Sequence, residues 1–273
     1  MKQYVREQSV ALTLTVATCA VLIGFVWLEV RILNHWIGGK IALRINPADI
    51  LVGAVIYLKT AIDFVIFIGQ LMSKNPGLKG RIGIEIGTAL GNGIGTMLIL
   101  VVWAFFKEVH WLLAVMIVIA ALVLLRLAQD TLVHARNYHP RLEALINGLD
   151  GFLASLNRIT EPVLSRIVPS QSMKVEHKRT LMALLVMAFT VPFILGLDDF
   201  AGYVPLFTIV NVFSFAIGVL LAHMLLNISL YISPGRTIAA VKNPLLSFAG
   251  SVAFVGLAGW GLIEAFRLLF LHA

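Results

Sequence analysis

Apolar residues fall into seven runs along this chain, at about 8–29, 49–72, 82–106, 109–128, 180–200, 204–231 and 245–270. Each approaches or exceeds the ~20 residues that a helix needs to cross the hydrocarbon core of a bilayer. The pattern predicts an all-α integral membrane protein with about seven transmembrane helices. The first run follows Met1, Lys2 and Arg6, as in a signal peptide, but it is long and lacks a small-x-small cleavage site followed by polar sequence, so it reads as a retained helix. The stretch 180–231 is nearly unbroken and contains Pro192, Pro205, Asp198 and Asp199, which predicts a broken helix, because lipid admits irregular backbone only where protein or a cavity surrounds it.

Between the fourth and fifth runs the period changes. Leu142, Leu145, Ile146, Leu149, Phe152, Leu153, Leu156, Ile159, Val163, Leu164 and Ile167 recur at steps of three and four, separated by polar positions such as Arg141, Glu143, Asn147, Asp150, Asn157, Arg158 and Arg166. That spacing predicts an amphipathic helix, interrupted at Pro162. A place along the cytoplasmic membrane surface suits its mixture of apolar and basic residues; a gate or a homodimer contact is the alternative.

The regions on either side of this connection are alike. The second run has 61-AIDF-64 and the fifth ends in 197-LDDF-200, so Asp63 falls opposite Asp199 and Phe64 opposite Phe200. Downstream, 87-GTALGNGIGTML-98 lines up with 214-SFAIGVLLAHML-225, which places Gly91 opposite Gly218. A third apolar run closes each half. Three spans per half make the second half enter the bilayer from the other side, and inverted repeats are a transporter signature with the solute site near their meeting point. The chain is thus expected to consist of an extra N-terminal helix and outer loop (1–48), a first three-helix repeat (49–128), the amphipathic connection (129–178) and a second three-helix repeat (179–273).

Composition agrees with lipid as the solvent: 59% of the residues are hydrophobic, mean hydropathy is +0.93 and only 13% are charged, against about 25% in soluble domains. The formal net charge of +7 suggests cytoplasmic loops and acidic lipid headgroups rather than nucleic acid. With the N terminus inside, fifteen Lys and Arg fall on the cytoplasmic side and five outside, with Lys59 left in the membrane. This asymmetry predicts a multi-pass protein of the cell membrane with a cytoplasmic N terminus. The single Cys19 can make no internal disulfide.

The candidate chemistry lies in charges embedded in lipid-length sequence. A carboxylate at bilayer depth costs about 2.5–3.5 kcal/mol on insertion scales, so it normally faces a cavity or a partner. Asp63, Asp198 and Asp199 come from two related helices and are expected to converge on one cation site. Their oxygens, with those of Asn92 and Asn211, suit a hard divalent metal, and protonation would release it. Lys59, one turn before Asp63, is either its ion-pair partner or a gate. Glu85, Thr88, Asn92 and Thr96 share a helix face, on which Glu85 is expected to be solvated near the cytoplasmic end; Gly87, Gly91 and Gly95 form a small-residue stripe for close packing. His223 with Asn227 reads as either a softer-metal ligand pair or a hydrogen-bond bridge.

An acidic motif in the first helix of each three-helix half, followed by a Gly-containing second helix, resembles the LysE superfamily of small-solute exporters. Within it, 196-GLDDF-200 is similar to the Asn-x-Asp-Asp segment of CadD-like cadmium-resistance transporters, with TerC-like proteins a second relative. Gly196 stands where that segment has Asn, and Ile62 stands opposite Asp198. The resemblance spans about 49–270 and implies export of a small solute, most simply a divalent metal cation with proton coupling, or an amino acid. An enzyme is not expected, and no cofactor: the Gly-x-Gly-Asp motif of intramembrane aspartyl proteases is absent, as are Gly-x-Ser-x-Gly and His-Glu-x-x-His. A non-transporting membrane scaffold is the remaining class.

Overall fold

The computed structural model describes residues 2–38, 40–75, 77–133, 140–167 and 180–270; the side chains of 2–11, Asp63, 140–142, 145, 163–167, 191–192 and 194–202 lie outside that description. Ten α-helices follow one another: α1 Lys2–Trp36, α2 Pro47–Thr60, α3 Ile62–Lys74, α4 Leu78–Phe106, α5 His110–Val133, α6 Pro140–Ile167, α7 Leu181–Tyr203, α8 Val212–Ile232, α9 Pro234–Val241 and α10 Pro244–Phe270. No strand occurs among the described residues. Five helices are long and apolar enough to cross a membrane: α1 over Leu12–Trp36, then α4, α5, α8 and α10. The pair α2 and α3, bent by 67°, passes the same test only when counted together, so the described residues hold five or six candidate spans. Exposed Trp36, Leu51, Phe105, Trp111 and Phe270 give these helices an apolar outer surface. This is a multi-pass helical membrane protein.

The predicted spans are corrected in two places. The run 49–72 is not one helix, because the chain turns at Ala61, between Lys59 and Asp63. The run 204–231 begins only at Val212; residues 204–211 are a turn with a short 3-10 segment at Leu206–Thr208, which separates α7 from α8. The run 180–200 falls on α7, Leu181–Tyr203, most of whose side chains beyond Thr190 lie outside the described residues. In α6, Pro162 lies within a continuous helix rather than interrupting it.

The chain divides into two compact units, and each takes helices from both sequence halves. Unit 1 comprises 1–101, 173–196 and 210–238; unit 2 comprises 102–172, 197–209 and 239–273. Unit 1 is organised by two capped helix starts. Asn46 caps α2 by accepting from the Ala48 N–H at 3.1 Å, with Pro47 at the first helical position. Asn211 caps α8 by accepting from the Ser214 N–H at 2.9 Å. The two starts are tied together: the Asn46 N–H donates to Ser214 Oγ at 2.9 Å, and the Asn211 N–H donates to Asp49 Oδ2 at 3.0 Å.

From these starts α2 and α8 run side by side in the same direction. A Cβ at Gly53 would overlap the Phe215 carbonyl, and one at Gly218 would overlap the Ile50 carbonyl, so here only glycine allows the two backbones to meet. Helices α4 and α7 repeat this arrangement. Gly83, Gly87 and Gly91 lie in turn against Leu181, Leu185 and Phe189, and a Cβ at Gly91 would overlap the Phe189 carbonyl.

Unit 2 is built on α5 and α10. Helix α10 buries Ser247, Gly250, Ser251, Phe254, Ala258, Gly261 and Ala265, a stripe at steps of three and four. Helix α5 buries Leu113, Ala114, Ile117, Ala120, Ala121 and Leu124. Gly261 lies against Ile117 and Pro205, where an added Cβ would come within 3.3 Å of each. The amphipathic α6 also belongs to unit 2, with Ile146 and Leu153 buried and Asn157 Nδ2 donating to Gln129 Oε1 of α5 at 2.6 Å.

Candidate functional site

The buried polar side chains of unit 1 collect between α2, α4 and α8. On α8, His223 and Asn227 are one turn apart, 3% and 0% exposed, facing inwards from an otherwise apolar surface. Tyr57 Oη of α2 lies 2.5 Å from His223 Nδ1. The other ring nitrogen, Nε2, lies 3.0 Å from Asn227 Nδ2. Asn227 Nδ2 also donates to Thr88 Oγ1 of α4 at 3.1 Å, and the Thr88 hydroxyl donates to the Glu85 carbonyl at 2.9 Å. Phe64 covers the imidazole, with ring centres 5.3 Å apart.

Two proton arrangements satisfy this chain. With the Asn227 amide donating to Nε2, His223 carries its proton on Nδ1 and donates to Tyr57. With the amide turned over, Nε2–H donates to the amide oxygen and Tyr57 donates to Nδ1. In both, both ring nitrogens are engaged. Of the two readings that the His223–Asn227 spacing allowed, this is the hydrogen-bond bridge; no imidazole lone pair is left for a metal. A cavity of about 10 Å³ adjoins the bridge, lined in part by Thr15, Cys19, Ala89, His223 and Asn227. That is about the space of one water.

Below and above Thr88 on the same face of α4 stand Glu85 and Asn92. Glu85 is 2% exposed, not solvated as its place near a helix end suggested, and neither carboxylate oxygen has a hydrogen-bond partner among the described residues. Asn92 is 4% exposed, and its Nδ2 is likewise buried without a partner. Thr96 completes the buried face at 4%.

The expected solute ligands are placed as follows. Lys59 is half-buried in the last turn of α2, and Asp63 lies in the first turn of α3, so the two flank the bend at Ala61. The side chains of Asp63, Asp198 and Asp199 lie outside the described residues, and so does their convergence. Asn211 is committed elsewhere, since its amide caps α8 and donates to the Ala42 carbonyl at 2.8 Å. Asn92 is the expected ligand that lies in the buried polar region. Among the described residues no group of three His, Cys, Asp or Glu is placed to hold a metal.

Sequence reading passed over Tyr57 altogether. Its signal was a phenol in an apolar run, since a buried Tyr hydroxyl usually finds a partner; the identity of that partner, 166 positions away, was not visible locally. No protein-family model, curated protein or solved structure matches the chain.

Proposed function

We propose that this chain is a secondary transporter that moves a small cationic solute between two inverted three-helix halves, one from α2 to α5 and the other from α7 to α10. The observation that carries the reading is the direction of the helices in unit 1. Helix α2 runs parallel to α8, since their starts are tied at Asn46–Ser214 and Asp49–Asn211 and Tyr57 meets His223 further along both, and α4 runs parallel to α7, as the successive contacts of Gly83, Gly87 and Gly91 require. Helices α4 and α8 run antiparallel, since Arg81 meets Tyr231 while Thr88 meets Asn227. It follows that α2 and α7, the first helices of the two halves, point in opposite directions. Each first helix is paired with the second helix of the other half, and Gly91 and Gly218, which occupy equivalent sequence positions, are the glycines at the two contacts. Inverted repeats exchanged in this way are a transporter architecture, with the site where a helix is discontinuous.

The bend at Ala61 supplies such a discontinuity, flanked by Lys59 and Asp63. In this proposal Asp63 and its repeat equivalent Asp199, with Asp198, hold the solute, and a divalent metal cation is the first candidate, in keeping with the resemblance to LysE-type exporters. Carboxylates in lipid-length sequence support a cation over an anion.

The test is flux into proteoliposomes of purified protein, screened over divalent metals and then amino acids. Asp63→Asn and Asp199→Asn keep side-chain size and remove one charge, so each should lower solute affinity by about an order of magnitude, equivalent to about 1.4 kcal/mol. Unchanged flux of every transported solute in both variants, with folding intact, overturns the shared aspartate site.

A further inference from the structure

A carboxylate and a guanidinium one helical turn apart ordinarily pair. Arg81 and Glu85 of α4 do not. Arg81 Nη1 donates to the Tyr231 carbonyl at 3.2 Å, at the end of α8, with the guanidinium carbon 5.4 Å from the centre of the Tyr231 ring. Its Nε is buried without a hydrogen-bond partner, and both oxygens of Glu85 are in the same condition. The antiparallel register places Glu85 between two occupied rungs, Arg81 with Tyr231 and Thr88 with Asn227. The face that α7 presents to α4 is apolar at Leu181, Leu185 and Ala188. Of the described titratable groups on the helices around it, Cys19 on α1, Tyr57 and Lys59 on α2 and His223 and Tyr231 on α8 make no hydrogen bond to the carboxylate. A buried charge without a hydrogen-bond partner is costly and calls for a cation.

We propose that Glu85 is a binding site for a dehydrated monovalent cation such as Na⁺, with the Thr88 hydroxyl oxygen beside it and Arg81 as the internal cation that replaces the ion when it leaves. One carboxylate balances one charge. A divalent ion would demand more oxygen ligands and normally more carboxylates than this face of α4 carries. The Arg81 guanidinium is already held within one turn, so a rotamer change from the Tyr231 carbonyl to Glu85 exchanges one partner for another. That exchange would also release the end of α8, which couples ion occupancy to the contact between α4 and α8. The role as a coupling ion rests on the transport reading above; binding of the ion does not.

The test uses the full-length protein in detergent. Its melting temperature is followed as NaCl replaces choline chloride at constant ionic strength. Wild type should show a saturable rise with Na⁺, and Glu85→Gln should abolish it. Arg81→Gln should tighten the apparent Na⁺ affinity about tenfold, because the competing cation is gone. Glu85→Asp, which keeps the charge on a shorter arm, should retain a weakened response and serves if the Gln variant does not fold. Asp63→Asn should keep the Na⁺ response. A response unchanged in Glu85→Gln overturns the site. So does the absence of any Na⁺-specific rise in wild type, including the case where an infrared carboxylic-acid band lost in Glu85→Gln marks a permanently neutral acid. Na⁺ binding without Na⁺-dependent flux would overturn the coupling role alone, and the absence of any transported solute in the wild-type flux screen would overturn the transport reading without touching the site.

Discussion

Both units pack lipid-length apolar helices, but they bury different polar groups. Among the described residues, unit 1 encloses Thr15, Glu85, Thr88, Asn92, Thr96, Ser214, His223 and Asn227, whereas unit 2 encloses the hydroxyls of Thr131, Tyr203, Ser247 and Ser251 and the indole N–H of Trp103, with one buried oxygen each of the less buried Asp150 and Asn157. A hydroxyl can turn back onto its own helix, as Thr131 does on the Leu127 carbonyl at 2.7 Å. An amide, an imidazole or a carboxylate is harder to satisfy within one helix, so each seeks a partner across an interface or requires a ligand. Unit 1 therefore carries a connected set of polar groups whose satisfaction depends on how three helices are placed, and unit 2 carries more scattered ones, such as the Asn157–Gln129 bond between α6 and α5. The difference marks unit 1 as the part where a change of ligand can change packing, and the α5–α10 pair as a contact that shape alone maintains. Two open clefts of unit 2 agree with this: one of about 580 Å³ between α6 and α10 is lined by Leu149, Phe152, Phe248 and Val252, and one of about 310 Å³ between α5 and α6 by solvated polar side chains.

The contrast can be broken most severely at the glycine contacts of unit 1. Gly218→Leu would force α8 away from the Ile50 carbonyl, and a loss of about 3 kcal/mol or more in unfolding free energy in detergent is expected, at the upper end of overpacking costs. A loss under ~1 kcal/mol would mean that the α2–α8 contact is compliant. Next comes the polar bridge. Asn227→Leu removes the partner of both Thr88 and His223 and should cost about 1–3 kcal/mol, with Tyr57→Phe about 1. If the double variant loses no more than Asn227→Leu alone, the bridge acts as one unit; full additivity would show two independent bonds.

The smallest changes are expected in unit 2. Ser251 is 0% exposed and its Oγ is without a hydrogen-bond partner, so Ser251→Ala should alter stability by less than ~0.5 kcal/mol or raise it slightly. Gly256 has open space around an added Cβ, and Gly256→Ala should gain about 0.5–1 kcal/mol of helix propensity. A large loss from either would show that the polar and steric contrast between the units has been misjudged.

Much of this was legible along the chain because lipid imposes a length and a composition on anything that crosses it. That is why the positions of α1, α4, α5 and α10 could be read closely, and why Glu85, Thr88, Asn92, His223 and Asn227 stood out as polar residues in apolar surroundings. Close packing at Gly87 and Gly91 was also readable, since a glycine at a close helix contact is constrained by sterics that act on one residue at a time; Gly95, expected in the same stripe, has open space beside it. The bend at Ala61 was not. The segment 57-YLKTAIDF-64 contains no proline or glycine, so nothing local commits the helix to stop there.

Tertiary structure alone decided which polar groups meet. Arg81 and Glu85 have the spacing of an ion pair, yet Arg81 bonds to the Tyr231 carbonyl, 150 positions away. Asn211 looked like a solute ligand and is instead the cap that starts α8, whereas Tyr57 gave little warning and reaches His223. Hydrophobic length is a sum over one segment, and sequence can state it. A hydrogen bond between distant segments depends on the relative position of two helices to within a few tenths of an ångström, and that position is set by every contact between them.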